Sequence, residues 1–495
     1  MRYGSWGFAL ALVGGAWLSG AQEPIDIGSR LELFVDDYLI DSMTGGAALR
    51  LHEPIAREIA LVHDAPWEGN DCGYHTVFKD GDIYRMYYTA WQLDCSPGKL
   101  DFPHDTFSAY AESSDGIHWT KPSLGLFEFE GSTENNIVWM GKGGHDFTPF
   151  KDPNPACLPG EEYKAIAYGL EPIGAYAFAS SDAIHWTFIQ DVPILTDGAF
   201  DTQNLAFWDE VRGEYRAYIR DFKDGVRGIK TATSKDFRTW SALVWLEYPG
   251  APIEALYTNQ VKPYYRAPHI FIGFPTRYNE RGWSPSMEAL PNLEHRRLRS
   301  TSEDRYGMAI TDGLFMTSRD GVTFKRWGEA FLRPGLRTRD NWAYGDNYIA
   351  WHVVETKSAI DDAPDELSLY APEGTWLGKA NKLRRFSIRV DGFVSMHAPL
   401  SGGEFVTKPM RFSGANLMVN FSTSAAGSIR IEIQRPDGTP IDGFRLEDAP
   451  EIFGDALDRV VPWKEGRDLA ALAGTPVRLR FVMRDADLYA MRFRE

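Results

Sequence analysis

Ser113-Ser114-Asp115-Gly116-Ile117-His118-Trp119 returns, almost unchanged, as Ser180-Ser181-Asp182-Ala183-Ile184-His185-Trp186. Looser copies are Thr233-Ser234-Lys235-Asp236-Phe237-Arg238-Thr239-Trp240 and Thr317-Ser318-Arg319-Asp320-Gly321-Val322-Thr323-Phe324. Each reads as a strand end, a polar turn and an aromatic that opens the next strand. The Asp side chain can accept from the turn backbone, and Gly permits a left-handed position. The aromatic then wedges between neighbouring sheets.

A β-rich run precedes each copy. Gly81-Asp82-Ile83-Tyr84-Arg85-Met86-Tyr87-Tyr88, Glu162-Tyr163-Lys164-Ala165-Ile166-Ala167-Tyr168 and Gly213-Glu214-Tyr215-Arg216-Ala217-Tyr218 are the early versions. Pro268–Phe274 and Asn347–His352 fill the same slot later. Five such units lie between about Leu61 and Met396, rich in the β-branched and aromatic residues that strands favour. Repeats of this kind, each holding several strands, predict a five-bladed β-propeller over a sandwich array or a barrel. Their spacing exceeds a minimal blade of ~40–50 residues, so long loops decorate one face. The longest insertion is the Arg-rich stretch 279–305. Leu31–Leu39 reads as a strand that closes the ring.

After Met396 the texture changes. Ser428-Ile429-Arg430-Ile431-Glu432-Ile433 and Val477-Arg478-Leu479-Arg480-Phe481-Val482-Met483 alternate with period 2. Such strands suggest an antiparallel β-sandwich. The expected fold is therefore all-β. A signal peptide occupies 1–21, the propeller with its N-terminal lead-in 22–399, and the sandwich 400–495. The signal rests on Arg2, the apolar stretch Trp6–Leu18 and the small residues Ser19-Gly20-Ala21. It implies a secreted or periplasmic protein without a membrane anchor.

The chain has 495 residues and a formal net charge of −17, which argues against binding a phosphate backbone. It leaves carbohydrate open as the partner. Aromatics make up 14% of the chain, enough both to fill the blades and to face sugar rings. Cys72, Cys95 and Cys157 are too few for a disulfide scaffold and match no zinc spacing. Cys72 and Cys95 could pair; structural cysteines are the better reading. No organic cofactor is implied. For a structural calcium on the axis the sequence shows no ligand loop.

Residues at the entry of each innermost strand line a propeller's funnel. The five entries carry Trp67-Glu68-Gly69-Asn70-Asp71, then His145 with Phe150-Lys151-Asp152-Pro153, then Phe200-Asp201-Thr202-Gln203-Asn204. The last two are Ile253-Glu254-Ala255-Leu256-Tyr257-Thr258-Asn259 and Asp340-Asn341-Trp342-Ala343-Tyr344-Gly345-Asp346. Every entry offers a carboxylate. Glycoside hydrolysis needs two, one protonated as acid and one that attacks or activates water. Crowding in a funnel raises some carboxyl pKa values. Trp67 offers a flat face to a sugar, and His145, Gln203, Asn204 and Asn259 can hold hydroxyls. Arg266 and Arg277 flank the fourth inner strand and suit an acidic sugar or an internal salt bridge. His118 and His185 sit in repeat turns and read as structural.

Here the chain resembles the five-bladed propeller glycosidases of glycoside hydrolase families 32 and 43, and more closely exported bacterial glycosidase-like proteins. Phe150-Lys151-Asp152-Pro153 is similar to the Arg-Asp-Pro motif of the invertase branch, with Lys for Arg. The Trp-Met-Asn-Asp-Pro signature is replaced by Trp67-Glu68-Gly69-Asn70-Asp71, and Glu254 is followed by Ala rather than Cys. The resemblance implies a glycoside hydrolase; the signal makes it a secreted one, and long loops walling one end of the funnel suit release of a terminal sugar. The resemblance also implies Glu254 as general acid, Asp201 or Asp152 as the orienting carboxylate, and Asp71 or Glu68 as base or nucleophile. The competing readings are a non-catalytic glycan-binding propeller and, more weakly, a lyase or phosphorylase using Arg266, Arg277 and His269.

Overall fold

The computed structural model describes residues 23–495, and the expected signal peptide lies outside them. The described chain is mostly β. Five four-stranded antiparallel sheets, I to V, follow one another along it. Their first strands are Gly73–Asp80, Thr148–Lys151, Leu205–Asp209, Lys262–Tyr264 and Val354–Thr356. In sheets I to IV the remaining strands follow in chain order.

The repeated heptad is the turn between the third and fourth strands of sheets I to IV. Its chemistry is the same in each. Ser113 Oγ accepts from the Asp115 and Gly116 amides, and Asp115 Oδ1 accepts from those of Ile117 and His118, both at 2.8 Å. Ser180 with Asp182, Ser234 with Asp236 and Ser318 with Asp320 repeat the pattern. The left-handed position falls to Gly116 and Gly321 in two copies, at φ 72° and 78°. Ala183 and Phe237 hold it in the others.

Three of the four turns also accept a hydrogen bond from a neighbouring sheet. Tyr87 of sheet I donates to the Ala183 carbonyl in the turn of sheet II, at 2.7 Å. Tyr218 of sheet III donates to Gly321 of sheet IV at 2.9 Å. Tyr370 of sheet V donates to Gly116 of sheet I, so the succession closes on itself. The inner strands meet as well. Trp351, fully buried ahead of the first strand of sheet V, exchanges backbone bonds with His75 and Val77 of sheet I. Its indole donates to the Val261 carbonyl at 3.0 Å, beside sheet IV.

The strand that completes sheet V is Ile55–Val62, not Leu31–Leu39. Glu32–Leu33 pairs instead with Met491 and Ala490 near the C-terminus. Phe34 is buried beside Phe405, ring centroids 5.4 Å apart. Phe34 and Leu39 enter the C-terminal core, while Leu31, Leu33 and Val35 pack against residues of sheets IV and V.

The alternating strands after Met396 form that core. Asn416–Gln434 and Arg478–Arg494 pair over most of their lengths, burying Ile429, Ile431, Ile433, Leu479 and Phe481. Ile40–Gly45 and Ala48–Leu51 join the same sheet, pairing with Gly403–Thr407 and Val394–Ala398. Buried Glu32 ties this unit to sheet IV through Arg319 at 2.9 Å and His269 at 3.2 Å. Burial pushes the Glu32 carboxyl up; the His269 hydrogen bond with the charges of Arg319 and Arg30 outweighs it, bringing it down to about 2. Cys72, Cys95 and Cys157 are free thiols, so the pairing of Cys72 with Cys95 does not form.

The insertion 279–305 is helical where a loop was expected. Pro285–Glu288, Leu293–Ser300 and Arg305–Met308 form three short helices. Arg296 and Arg299 point their guanidiniums inward and are buried, which brings Arg305 and Tyr306 to the entry side of the sheets.

Candidate active site

A cavity of about 250 Å³ opens where the entries of all five sheets converge. Asp71, Tyr74, His145, Asp201, Tyr257 and Tyr348 line it from the sheets, and Arg305 and Tyr306 from the helical insertion. Trp91, Phe102 and Trp376 add aromatic walls. Phe102 is 48% exposed and stacks on Trp91 with centroids 4.8 Å apart. That pair presents a flat apolar face at the rim, suited to the apolar side of a sugar ring.

The floor is a hydrogen-bond network between inner strands. Gln203 Nε2 donates to the Tyr74 carbonyl and to Thr76 Oγ1, both at 3.0 Å. Gln260 Nε2 donates to Gln203 Oε1 at 2.7 Å and to the Ile349 carbonyl at 2.9 Å. This joins sheets I, III, IV and V beneath the cavity. Tyr74 is held above it at φ 53°, a left-handed conformation that a bulky residue adopts only when its surroundings over-determine it.

The two carboxylates of the cavity have different surroundings. Burial pushes the Asp71 carboxyl up to about 7, and Trp376, His145 and Arg299 pull it down without overcoming that. Asp201 sits at the rim, 66% exposed, ion-paired with Arg220. The Arg220 guanidinium in turn lies 5.1 Å from the Tyr257 ring centroid. One group is thus placed to keep a proton near neutral pH while the other is paired with a cation.

His145 lies 3.2 Å from Asp146 Oδ1. Burial lowers the affinity of its imidazole for a proton, but the hydrogen bond and charge of Asp146, with Asp201 and Asp71 nearby, raise it overall. Burial likewise raises Asp146 to about 6. Tyr74, Tyr344 and Tyr348 are pushed well above the ordinary phenol range by burial and by Tyr257. They are hydroxyl donors rather than proton-abstracting bases.

Of the residues singled out in the sequence, Asp71, His145 and Asp201 line this cavity. Others lie elsewhere. Glu254 is held by Arg277 at 3.0 Å and by Arg326, beside a different cavity. A carboxylate gripped by two guanidiniums is ill suited to donate a proton. Glu68 is buried among Lys121 at 2.6 Å, Tyr88 and the Ala65 amide. Asp152 is buried against Lys164 at 2.7 Å and Tyr215 at 2.6 Å. Both anchor structure, because each buried charge has its partners within the fold.

The expected hydroxyl binders Gln203, Asn204 and Asn259 are buried. Gln203 serves the floor, Asn204 accepts from the Arg220 amide, and Asn259 accepts from that of Val261. Trp67 donates to Asn136 at 2.6 Å within sheet I. Arg266 pairs with Asp391 and Arg277 also with Asp312, so both form internal salt bridges.

Sequence reasoning missed the tyrosine cluster, Arg220, Arg305 and Trp376. The tyrosines were visible as Tyr-bearing strand entries. Arg305 lay in the insertion. Nothing local marked Trp376. Among the described residues, no group of three or more His, Cys, Asp or Glu is arranged to hold a metal ion.

No family model matches the chain, and no curated protein does. Among solved structures it is similar to a fructofuranosidase from Schwanniomyces occidentalis complexed with fructosylnystose. The identity is 10% and the TM-score 0.39, over 89% of this chain and 97% of that one. A β-fructofuranosidase from Bombyx mori matches at 10% identity and a TM-score of 0.38, over 90% and 94%. An endo-arabinase from Bacteroides thetaiotaomicron matches at 9% and 0.39, over 67% and 98%. At such identities and scores these matches carry no residue roles.

Proposed function

We propose that this chain is an exported glycoside hydrolase, a five-bladed propeller over about 55–396 with a β-sandwich that recruits the N-terminal strands. The observation that carries the reading is the pair Asp71 and Asp201 in one aromatic-walled cavity, one pushed up by burial and the other paired with Arg220. Asp71 is the general acid, protonating the leaving oxygen. Asp201 is the carboxylate that attacks the anomeric carbon or activates water. His145 and the buried tyrosines donate to sugar hydroxyls, and Trp91 with Phe102 stacks on a ring. The small, walled volume suits a terminal sugar of an oligo- or polysaccharide.

The test is a screen of aryl glycosides of arabinose, xylose, fructose, galactose and fucose, with plant and algal oligosaccharides. Asp71→Asn and Asp201→Asn serve as controls. Turnover abolished by both variants supports the reading. Oligosaccharide binding without turnover by the wild type would replace it with a glycan-binding role.

A further inference from the structure

The inner strand Gly73–Asp80 meets the cavity above at Gly73 and Tyr74. Its far end, Phe78 and Lys79, lines a second cavity of about 350 Å³. Tyr74 and Phe78 are ~13 Å apart along the strand at about 3.3 Å per residue. The second cavity is walled by Phe78, Tyr264, Ile272, Phe274 and Val354. Into it comes Lys262, whose Nζ lies 3.0 Å from His352 Nδ1 and 5.5 Å from the Trp351 ring centroid. His352 is held at φ 76°, a strained conformation for this residue.

Lys262 has no ion-pair partner among the residues of this cavity. Glu355 lines the same cavity, but its Oε1 accepts from the Tyr265 hydroxyl. Glu210 acts on Lys262 only as a background charge. Lys79 adds a second cation to the lining. Among the described residues no carboxylate forms an ion pair with Lys262. Burial accordingly pulls its ammonium down to about 7, and burial with the charge of Lys262 lowers His352. A half-buried amine without an ion-pair partner is a ready seat for an anion that a ligand supplies.

We propose that this cavity binds a small carboxylate with an apolar body, its carboxylate on Lys262 and His352 and its body against Phe78, Tyr264 and Phe274. The singly charged, planar head matches one ammonium and one imidazole N–H. The apolar walls favour a body that inorganic anions lack. The site is separate from the Asp71 cavity and stands or falls independently of glycosidase activity.

Benzoate and its uncharged analogue benzamide test this, by calorimetric titration and thermal shift on the whole protein and on Lys262→Met. Benzoate should bind the wild type and raise Tm, with benzamide weaker by about tenfold or more, as should be benzoate on the variant. In the wild type, benzoate should also protect Lys262 from trinitrobenzenesulfonate, read by peptide mapping, which decides the matter even if the variant fails to fold. Absence of benzoate binding, equal binding of benzamide, undiminished binding to a folded Lys262→Met, or labelling of Lys262 unaffected by benzoate would each overturn the proposal. Inorganic phosphate displacing benzoate at equal concentration would overturn the ligand class.

Discussion

The guanidinium of Arg326 holds the carboxylate of Glu254 outside the cavity that Asp71 and Asp201 share. The Arg326 side chain is only 1% exposed, so the pair has a structural task. Glu254→Gln should therefore leave turnover within a few-fold. It should cost about 1–3 kcal/mol in denaturant unfolding, because a buried cation loses its anion. Asp71→Asn and Asp201→Asn should instead each lower kcat by ~10²–10⁴, and Asp201→Asn should also cost about 1–3 kcal/mol because buried Arg220 loses its anion. A turnover loss in Glu254→Gln as large as in Asp71→Asn would reverse the assignment.

The acid role of Asp71 has a pH signature. With its carboxyl pushed up to about 7, kcat/KM should descend above about pH 7. Asp71→Asn should lose that limb along with most of the rate. A descending limb that persists in the variant would move the acid role to another group.

Stability should feel the same group with a worked sign. A carboxyl whose folded value lies above its unfolded one binds protons more tightly when folded. Its stabilisation is present below about pH 4 and is lost as pH rises through about 7. Asp71 and Asp346, both raised to about 7 by burial, and Asp146, raised to about 6, act together. Tm should fall between pH 4 and 7 more steeply in the wild type than in Asp71→Asn or Asp346→Asn. Parallel curves would show that these carboxyls are not raised.

Closure of the five sheets depends on Tyr370 reaching the Gly116 carbonyl. Tyr370→Phe leaves a buried acceptor without its donor and should cost about 1–3 kcal/mol. Tyr87→Phe, which removes the equivalent bond to Ala183, should cost a similar amount. Equal stability of both variants and the wild type in chemical denaturation would show that the turns do not latch their neighbours.

Gln203 links the floor to the cavity. Gln203→Ala removes donors to the Tyr74 carbonyl and Thr76 and frees Gln260. It should lower stability by about 1–3 kcal/mol and also reduce kcat/KM, since Tyr74 loses the contact that holds its strained backbone. Unchanged kcat/KM in a destabilised variant would confine Gln203 to the core.

The amino-acid sequence alone determined what local chemistry can determine. Ser113–Trp119 and its copies specify a turn through side-chain-to-backbone bonds within a few residues, so they were legible and they marked four of the five sheets. Period-2 alternation at Ser428–Ile433 and Val477–Met483 marked strands with one buried face for the same local reason. Tertiary structure alone decided the partners. Ile55–Val62 completes sheet V, and Glu32–Leu33 pairs with Met491 and Ala490, across separations that no local preference encodes. It likewise decided among the carboxylates. Glu68, Asp152 and Glu254 are as acidic in sequence as Asp71 and Asp201, but each meets a cation or donors from distant segments. Whether a carboxyl is a structural anchor or a proton donor follows from which neighbours neutralise it, and folding alone assembles those neighbours.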